Sequence, residues 1–293
     1  MVHGRPAGGC CKLERWRWVF SSSGSSGDLL PALGSALHKT VAVLFNLLFP
    51  DECRICGQKL AQISRIPVCR ACLRAPEPLA AACFCVSCRT PFLNRAPLDE
   101  QGRCALCRLG ARGFDAAYSY GAYEGTLREL IHLFKYSRIR PLAGPLGDLL
   151  AQAIPREERF DAVVPVPLHW RRRLARGFNQ SALLAQAAAR RYGLRVLHAV
   201  RRRRATSAQA GLSNAERRAN VAGAFRVRRR RVVAGRRILL VDDVMTTGAT
   251  ASACAAALKR AGAGYVALLA LARVDRRTSV EPFRAPSAAV GAS

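Results

Sequence analysis

The chain has 293 residues, half of them hydrophobic, which allows one large or two modest folded domains and excludes an intrinsically disordered protein. Its 47 lysines and arginines exceed its 19 aspartates and glutamates, for a formal charge of +28. Such a surplus favours polyanionic partners (nucleic acid, anionic membrane surfaces or phosphorylated small molecules), although an arginine-biased composition would produce it equally well. No segment has the length and uninterrupted apolarity of a membrane span, so we expect a cytoplasmic protein.

The first 50 residues are predicted to be an extension that is flexible at first and helical later. Residues 1–27 lack the basic start, apolar middle and cleavage site of a signal peptide, and they end in the linker-like sequence SSSGSSG. The stretch VAVLFNLLF (41–49) is apolar but short, because Asn46 interrupts it and Pro50 stops it. It predicts a helix docked on the protein, or an interfacial segment, rather than an anchor.

Four Cys-x-x-Cys pairs follow: CRIC (53–56), CRAC (69–72), CVSC (85–88) and CALC (104–107). This spacing lets one tight turn direct two thiolates at one ion, and two such turns complete a tetrahedral zinc site. The pairs are separated by 12 residues in the first half and by 15 in the second, as in zinc ribbons. We therefore predict two zinc ions, one bound by Cys53, Cys56, Cys69 and Cys72 and the other by Cys85, Cys88, Cys104 and Cys107.

Disulfides or a redox-active thiol pair are the alternatives to zinc. A segment this short, with few apolar residues, cannot build a core without metal, and no βαβ pattern surrounds the pairs as in thioredoxin-like sites. With four thiolates each, the zinc ions would have no open position for water, so we expect them to be structural. We assign no role to the remaining cysteines, Cys10, Cys11, Cys83 and Cys254.

Strand-like and helix-like segments alternate from residue 114 onward. The predicted strands are 116–123 (a strand or a hairpin), 161–168, 236–244 and 265–273, and the predicted helices are 125–136, 178–193 and 248–263. Strand, helix and strand in this order imply parallel strands joined by right-handed crossovers. The sequence therefore predicts an α/β fold with a doubly wound, mainly parallel sheet, in which ligands bind at the carboxyl ends of the strands.

The sequence ILLVDDVMTTGAT (238–250) carries the strongest functional signal. We expect Asp242 and Asp243 to end a buried strand, before a turn with a cluster of threonines around one glycine that leads into a helix. The free N–H groups of that helix N-terminus suit a phosphate, and Gly248 allows a close approach to the backbone. The carboxylates would repel a phosphate but accept hydrogen bonds from a ribose diol, so the motif predicts a ribose 5-phosphate site. An ordinary strand followed by a capped helix is the alternative, which is disfavoured because paired aspartates are costly there.

The same residues resemble the phosphoribosyl diphosphate (PRPP) signature of type I phosphoribosyltransferases. Further segments extend the resemblance to the ComF-like competence family: LIHLFKY (130–136), VPVPLHWRRRLARGFNQ (164–180) and ATSAQAGLSNAERRANVAGAF (205–225). The cysteine pairs ahead of them fit this family, in which a double zinc ribbon precedes the transferase domain. The resemblance implies a zinc-ribbon module at 51–110, a phosphoribosyltransferase-like domain at 111–275 and a flexible tail at 276–293.

The resemblance also implies roles for individual residues. Asp242 and Asp243 would hold the ribose hydroxyls, and the turn at 165–167 would be the pyrophosphate loop. The cradle of the 5-phosphate would consist of Thr246, Thr247, Gly248, Ala249 and Thr250. The group facing the diphosphate would consist of Arg173, Arg176, Gly177, Asn179 and Gln180. Lys135 falls in a motif that lies near the diphosphate, and residues 206–220 match the mobile hood loop that closes over substrate.

Displacement at the anomeric carbon requires that the charge of the leaving diphosphate be neutralised, usually by Mg²⁺ with help from arginine. We therefore predict Mg²⁺ bound together with PRPP, and catalytic roles for Asp242, Asp243, Arg176 and Lys135. The arginine runs at 171–173 and 201–204 are either solvated loop charges or part of the phosphate pocket that they flank.

Three functions are compatible with these residues. The first is transfer of phosphoribosyl from PRPP to an acceptor that the sequence does not identify. The second is a competence factor for DNA uptake, whose pocket binds a phosphorylated ribose while zinc ribbons and arginines hold single-stranded DNA, in company with other competence proteins. The third is a sensor that binds PRPP without turnover. PRPP binding that depends on Mg²⁺ and on Asp243 separates the first function from the second.

Overall fold

The computed structural model of the chain describes residues 52–60, 64–93, 95, 97–110, 112–203, 221 and 223–274. The predictions for the extension at 1–50, the hood loop at 206–220 and the tail at 276–293 concern residues outside this part. Within the described part, no helix combines the length and the apolarity that crossing a bilayer requires.

Nine strands and seven α-helices lie along the described residues. The strands are β1 (Cys83–Phe84), β2 (Pro91–Phe92), β3 (Ala116–Ala122), β4 (Ala162–Pro165), β5 (Arg195–Val196), β6 (Val200–Arg202), β7 (Phe225–Val227), β8 (Arg237–Met245) and β9 (Tyr265–Arg273). The helices are α1 (Arg70–Arg74), α2 (Ala105–Arg108), α3 (Gly125–Tyr136), α4 (Ala143–Gln152), α5 (Trp170–Arg176), α6 (Gln180–Arg191) and α7 (Ala249–Arg260). The bounds of α3 and β9 are those predicted from their hydrophobic patterns.

Five parallel strands form the central sheet, in the order β3-β9-β8-β4-β5. Residues 238–241 of β8 are fully buried because helices cover both faces of the sheet. This architecture confirms the predicted doubly wound α/β fold. Two short antiparallel pairs accompany the sheet: β1 with β2, and β6 with β7.

Two details of the strands differ from the sequence prediction. The segment at 116–123 is not a hairpin, since β3 is one edge strand paired in parallel with β9. Asp242 and Asp243 lie inside β8 rather than at its end, because Val244 and Met245 still pair with β9. The turn that follows the doublet therefore begins only at Thr246.

Two hydrophobic cores lie on opposite faces of the sheet. On one face, α7 packs against Ile238 and Leu240, and on the other face α3, α4 and α6 pack against Leu239 and Val241. The two predicted sets of zinc ligands divide between these cores. The set between residues 85 and 107 belongs to the α7 face, and the set between residues 53 and 72 belongs to the opposite face.

Candidate functional site

Cysteine group 1 (Cys53, Cys56, Cys69 and Cys72) and cysteine group 2 (Cys85, Cys88, Cys104 and Cys107) each bring four sulfur atoms within 4.8 Å of one another. One sulfur pair of group 1 and two of group 2 are 3.7 Å apart. Four sulfurs at about 2.3 Å from one tetrahedral zinc ion are separated by about 3.8 Å, whereas disulfide sulfurs lie about 2.05 Å apart. The cysteines are free, and each group could hold a zinc ion.

Backbone contacts orient the sulfur atoms of both groups. The N–H of Cys69 donates to Cys53 Sγ, and the N–H of Cys104 donates to Cys85 Sγ, each at 3.3 Å. Gly57 adopts a left-handed φ of 73°, which a residue with a side chain rarely adopts, and its N–H donates to the carbonyl of Cys53. In the folded chain such contacts orient the sulfur ligands, as expected around a structural site.

Cysteine group 2 packs directly behind the turn that follows β8. Leu106 lies so close to Gly248 that a Cβ atom at position 248 would come within 2.8 Å of its Cδ1 atom. The Arg273 guanidinium lies 4.1 Å from the ring centre of Phe92 and donates to the sulfur of Met245 at 3.5 Å. The segment that carries the second set of thiols therefore forms the back wall of this turn.

A cavity of about 300 Å³ lies beside this turn, where β4 and β8 end. Most of the predicted site residues line it, namely Lys135, Arg176, Asn179, Gln180, Asp242, Asp243, Thr246, Gly248, Ala249 and Thr250. Arg173 and Thr247 do not line it. The structure thus brings residues together from α3, β8, α7 and the α5–α6 region.

The two aspartates occupy different environments because successive side chains of a strand point to opposite faces. The Ser181 hydroxyl donates to Asp242 Oδ1 at 2.9 Å, and the N–H of Asp243 donates to the same oxygen at 3.0 Å. Asp243 is 5% exposed, and its Oδ2 lies 3.1 Å from Lys135 Nζ. The start of α6 therefore fixes one carboxylate, and the end of α3 fixes the other.

Three buried oxygen atoms on the cavity wall accept no hydrogen bond from the described residues: Asn179 Oδ1, Gln180 Oε1 and Asp243 Oδ2. The contact between Lys135 and Asp243 is an ion pair without hydrogen-bond geometry. Asp243 Oδ2 can therefore still accept a hydrogen bond from a ligand. The amide of Asn179 is oriented by its N–H, which donates to the carbonyl of Val166 at 3.0 Å. Buried acceptors without donors are costly, so these oxygens favour a ligand with hydroxyl groups or a hard cation such as Mg²⁺.

The turn after β8 presents backbone N–H groups to the cavity. Its last residue, Gly248, has a left-handed φ of 74° and is the N-cap of α7, with no side chain to occupy the first-turn amides. The Thr247 hydroxyl accepts only a long contact of 3.4 Å from the N–H of Ala249. The remaining amides and the partial positive charge of the helix terminus suit a phosphate.

Helix α5 adds positive charge to the cavity wall. Arg172 and Arg176 line the cavity because residues four apart share one face of a helix. Arg173, which is also predicted to face the diphosphate, lines a neighbouring groove and not this cavity. The Arg176 guanidinium lies 5.5 Å from the ring centre of Tyr136, which also lines the cavity.

The sequence does not single out Ser181 and Tyr123, although both lie at the site. Ser181 is in the first turn of α6, where serine is common for helix capping alone, so its contact with Asp242 has no separate signal. Tyr123 follows β3 and lines the cavity, and its hydroxyl lies 2.9 Å from His132 Nε2. Both roles depend on how α3 and α6 pack beside β8.

Burial and neighbouring charges shift several pKa values at the cavity. Burial first, and then the charge of Asp243, raise the pKa of Asp242 to about 7. Burial also raises the pKa of Tyr123, although the nearby Lys135 ammonium opposes that shift. Burial, followed by the charge of an α5 arginine, lowers the pKa of Arg202. The doublet therefore holds its negative charge at a cost to folding stability.

This cost predicts that Asp242→Asn stabilises the protein in a pH-dependent way. Since the pKa of Asp242 is raised from about 3.9 in the unfolded chain to about 7, the stability of the parent protein falls as pH rises through that window. The variant lacks this charge, so its advantage in thermal midpoint should widen between pH 5.5 and pH 8, by about 2–8 °C. Calorimetric melts of the zinc-loaded proteins at both pH values test this, and an advantage that does not change with pH would contradict it.

The phosphoribosyl transferase domain family matches residues 172–287, which include most of α5, β8 with its acidic doublet, and the turn after it. The parallel sheet, the doublet and this match define a domain of the phosphoribosyltransferase class.

The chain is 34% identical over 239 residues to the DNA utilization protein YhgH of Escherichia coli (strain K12), covering 78% of this chain and 99% of the relative. It is 33% identical over 178 residues to competence protein F of Haemophilus influenzae, covering 58% of this chain and 78% of the relative. The chain belongs to this ComF-like family.

Two solved structures overlap the chain in part. The glutamine PRPP amidotransferase from B. subtilis, complexed with ADP and GMP, shares 23% identity over 47% of this chain and 30% of its own, with a TM-score of 0.35. The protein TT1426 from Thermus thermophilus shares 20% identity over 46% of this chain and 84% of its own, with a TM-score of 0.28. The chain thus spans less than a third of the amidotransferase.

Proposed function

We propose that this protein binds PRPP together with Mg²⁺ and transfers its phosphoribosyl group to an acceptor. The observation that carries the proposal is a set of three residues with buried acceptor oxygens lacking donors, which line one cavity beside an uncapped helix N-terminus. A ribose 5-phosphate offers hydroxyl donors to the oxygens and an anion to the helix, so a single ligand satisfies both ends of the cavity.

In this proposal, Asp242 and Asp243 accept hydrogen bonds from the ribose hydroxyls. The turn at 246–250 holds the 5-phosphate through its backbone amides and threonine hydroxyls. Lys135 Nζ lies 3.1 Å from Asp243 Oδ2 and holds that side chain in place before the ligand binds. The ribose-binding site is therefore formed before the ligand binds. This limits how far the protein must reorganise during the reaction.

The diphosphate would leave toward the basic side of the cavity, where Arg172 and Arg176 of α5 lie. These guanidinium groups and Lys135 oppose the charge that develops on the leaving group as the bond to the anomeric carbon breaks. When bound, Mg²⁺ would neutralise further diphosphate charge, and Asn179, Gln180 and the doublet offer the oxygen atoms that this ion prefers.

We further propose that residues 51–110 form a module with two structural zinc ions and that residues 111–275 form the transferase-like domain, acting in the cytoplasm. The sulfur spacing of 3.7 Å supports the zinc ions. The module would support the turn after β8 through Leu106 rather than take part in the chemistry.

Titration calorimetry with PRPP tests the proposed function. We expect binding in the presence of Mg²⁺ and much weaker binding when Mg²⁺ is omitted from a chelator-free buffer that leaves the zinc ions in place, because the diphosphate charge is then unopposed. Diphosphate release during a screen of nucleobases and oligonucleotides would identify the acceptor. Absence of Mg²⁺-dependent PRPP binding by protein with its zinc ions confirmed would refute the proposal.

A second candidate is a competence factor that binds a phosphorylated ribose, such as the end of a DNA strand, without turnover. The names of the two relatives, a DNA utilization protein and a competence protein, favour it. The net charge of +28 is also suited to a polyanion. This candidate predicts DNA binding that falls steeply with salt and survives Asp243→Asn, together with no release of diphosphate from PRPP.

A further inference from the structure

A second groove adjoins the cavity of the acidic doublet, and the proposed transfer does not use it. Its volume is about 690 Å³, and its walls come from α5, α6 and the β6–β7 pair. Pro167, Leu168, Asn179 and Arg202 line both the groove and the cavity, so the two spaces lie side by side. We call it the Trp170 groove, after the tryptophan on its rim.

The Trp170 groove is strongly basic. Arg173 from α5, Arg201 from β6 and Arg228, which follows β7, line it, and all three residues are exposed. The β6–β7 register places Arg201 and Arg228 on the same face of the pair. None of the described residues that line the groove is acidic, and none of these three arginines forms an ion pair with a described residue. Such a surface attracts a ligand with several negative charges.

The shared edge between groove and cavity is crowded with positive charge. His169 is the N-cap of α5, and its Nδ1 accepts from the N–H of Arg171 at 3.3 Å. Burial, and then the charges of Arg202, Arg171 and Arg172, lower the pKa of His169. The folded chain therefore keeps several guanidinium groups close together at this edge.

Helix α5 does not contribute to either hydrophobic core, since none of its residues is buried. Trp170 begins this helix and is 57% exposed, with the Arg171 guanidinium 5.3 Å from its ring centre. Because its ring is largely exposed at the groove rim, Trp170 is available to stack on a planar group of a ligand. An aromatic ring among arginines suits a ligand that has both planar bases and phosphates.

Single-stranded nucleic acids combine these two features, because their bases are free to stack and their backbone carries one charge per nucleotide. We propose that the Trp170 groove binds single-stranded nucleic acid, with a base stacked on Trp170 and phosphates at Arg201 and Arg228. A duplex fits less well, because its base faces are covered by neighbouring pairs. The proposal builds on the second candidate function by giving the strand a location, and it does not require phosphoribosyl transfer.

Fluorescence anisotropy of a labelled oligothymidylate, with the full chain carrying its zinc ions, tests this site. Trp170→Ala should weaken binding by about five- to a hundredfold, as expected for the loss of one base–aromatic stack. The double variant Arg201→Gln/Arg228→Gln should reduce the slope of log affinity against log salt concentration by about 1.4, since each phosphate contact in a single strand contributes about 0.7.

Matched controls lie outside the groove. Leu174→Ala removes another exposed apolar side chain from α5, and Arg156→Gln/Arg195→Gln removes two exposed charges near the amino ends of β4 and β5. Both controls should bind the oligonucleotide as the parent protein does, and Trp170→Ala should keep its PRPP affinity, which separates this proposal from the proposed function. Unchanged binding by the Trp170 and arginine variants, or equal affinity for a duplex of the same length, would overturn the proposal.

Discussion

Cys88→Ser should reduce the zinc content from two ions per chain to one and weaken PRPP binding by about tenfold or more. Cys88 is fully buried, and its sulfur lies 3.7 Å from that of Cys104. Serine cannot replace a thiolate ligand, so cysteine group 2 would lose its ion. Since zinc binding contributes about 10–16 kcal/mol to the folding of such small modules, the segment between residues 85 and 107 should lose its order.

The effect on PRPP follows from the packing of this segment behind the turn after β8. Leu106 contacts the position of Gly248, and Phe92 contacts Arg273, which in turn donates to Met245. Without that wall, the turn is no longer held in the conformation that presents its amides, and a displacement of about 1 Å of a positioning group can cost a hundredfold in activity.

Cys83→Ser is the matched control, because Cys83 is a free cysteine in β1 that belongs to neither sulfur group. Zinc analysis by plasma mass spectrometry and PRPP calorimetry should give parent values for this variant. If Cys88→Ser protein kept two zinc ions per chain, the assignment of group 2 would be wrong. If it lost one ion and kept full PRPP affinity, the supporting role of the segment would be wrong.

Asp243→Asn should weaken PRPP binding by about 10- to 150-fold, the range expected for loss of a hydrogen bond to a charged acceptor. Asp243 is 5% exposed, and its Oδ2 accepts no hydrogen bond from the described residues, so a ribose hydroxyl would supply the missing donor. Asp148→Asn is the control, because Asp148 is exposed and its ion pair with Arg191 lies outside the lining of the cavity.

Lys135→Met would leave the Asp243 carboxylate buried without a counter-charge, at a cost of about 3–5 kcal/mol in unfolding free energy. Combining it with Asp243→Asn should restore much of that stability but none of the PRPP affinity. Denaturant melts and calorimetry on the four proteins of this cycle give both quantities. Full PRPP affinity in Asp243→Asn would exclude the ribose-binding role of the doublet.

The central part of the fold and the outline of the site can be predicted from the sequence, because each depends on the pattern of residues that are neighbours in the chain. The run 238–250 has a buried strand that carries two carboxylates and then a threonine-rich turn with one glycine, so the strand and the helix start can be placed without knowing their neighbours, although the strand extends two residues beyond the doublet. The cysteine spacing likewise predicts which thiols share an ion, because each turn contributes two of them.

Contacts between distant elements are not readable in this way. The contact of Ser181 with Asp242 requires that α6 start beside β8. Whether Arg172 or Arg173 lines the cavity depends on how α5 is rotated about its axis. The sequence also gives no sign that the two cysteine groups contribute to opposite faces of the sheet. Each of these features is set by the packing of the assembled sheet and helices.

A crystal structure of the protein with PRPP and Mg²⁺ measures the central claim most directly. The ribose hydroxyls should lie within hydrogen-bond distance of the Asp242 and Asp243 carboxylates, with the 5-phosphate on the amides of the turn at 246–250. Density for PRPP elsewhere, or a sugar whose diol faces away from both aspartates, would contradict the account.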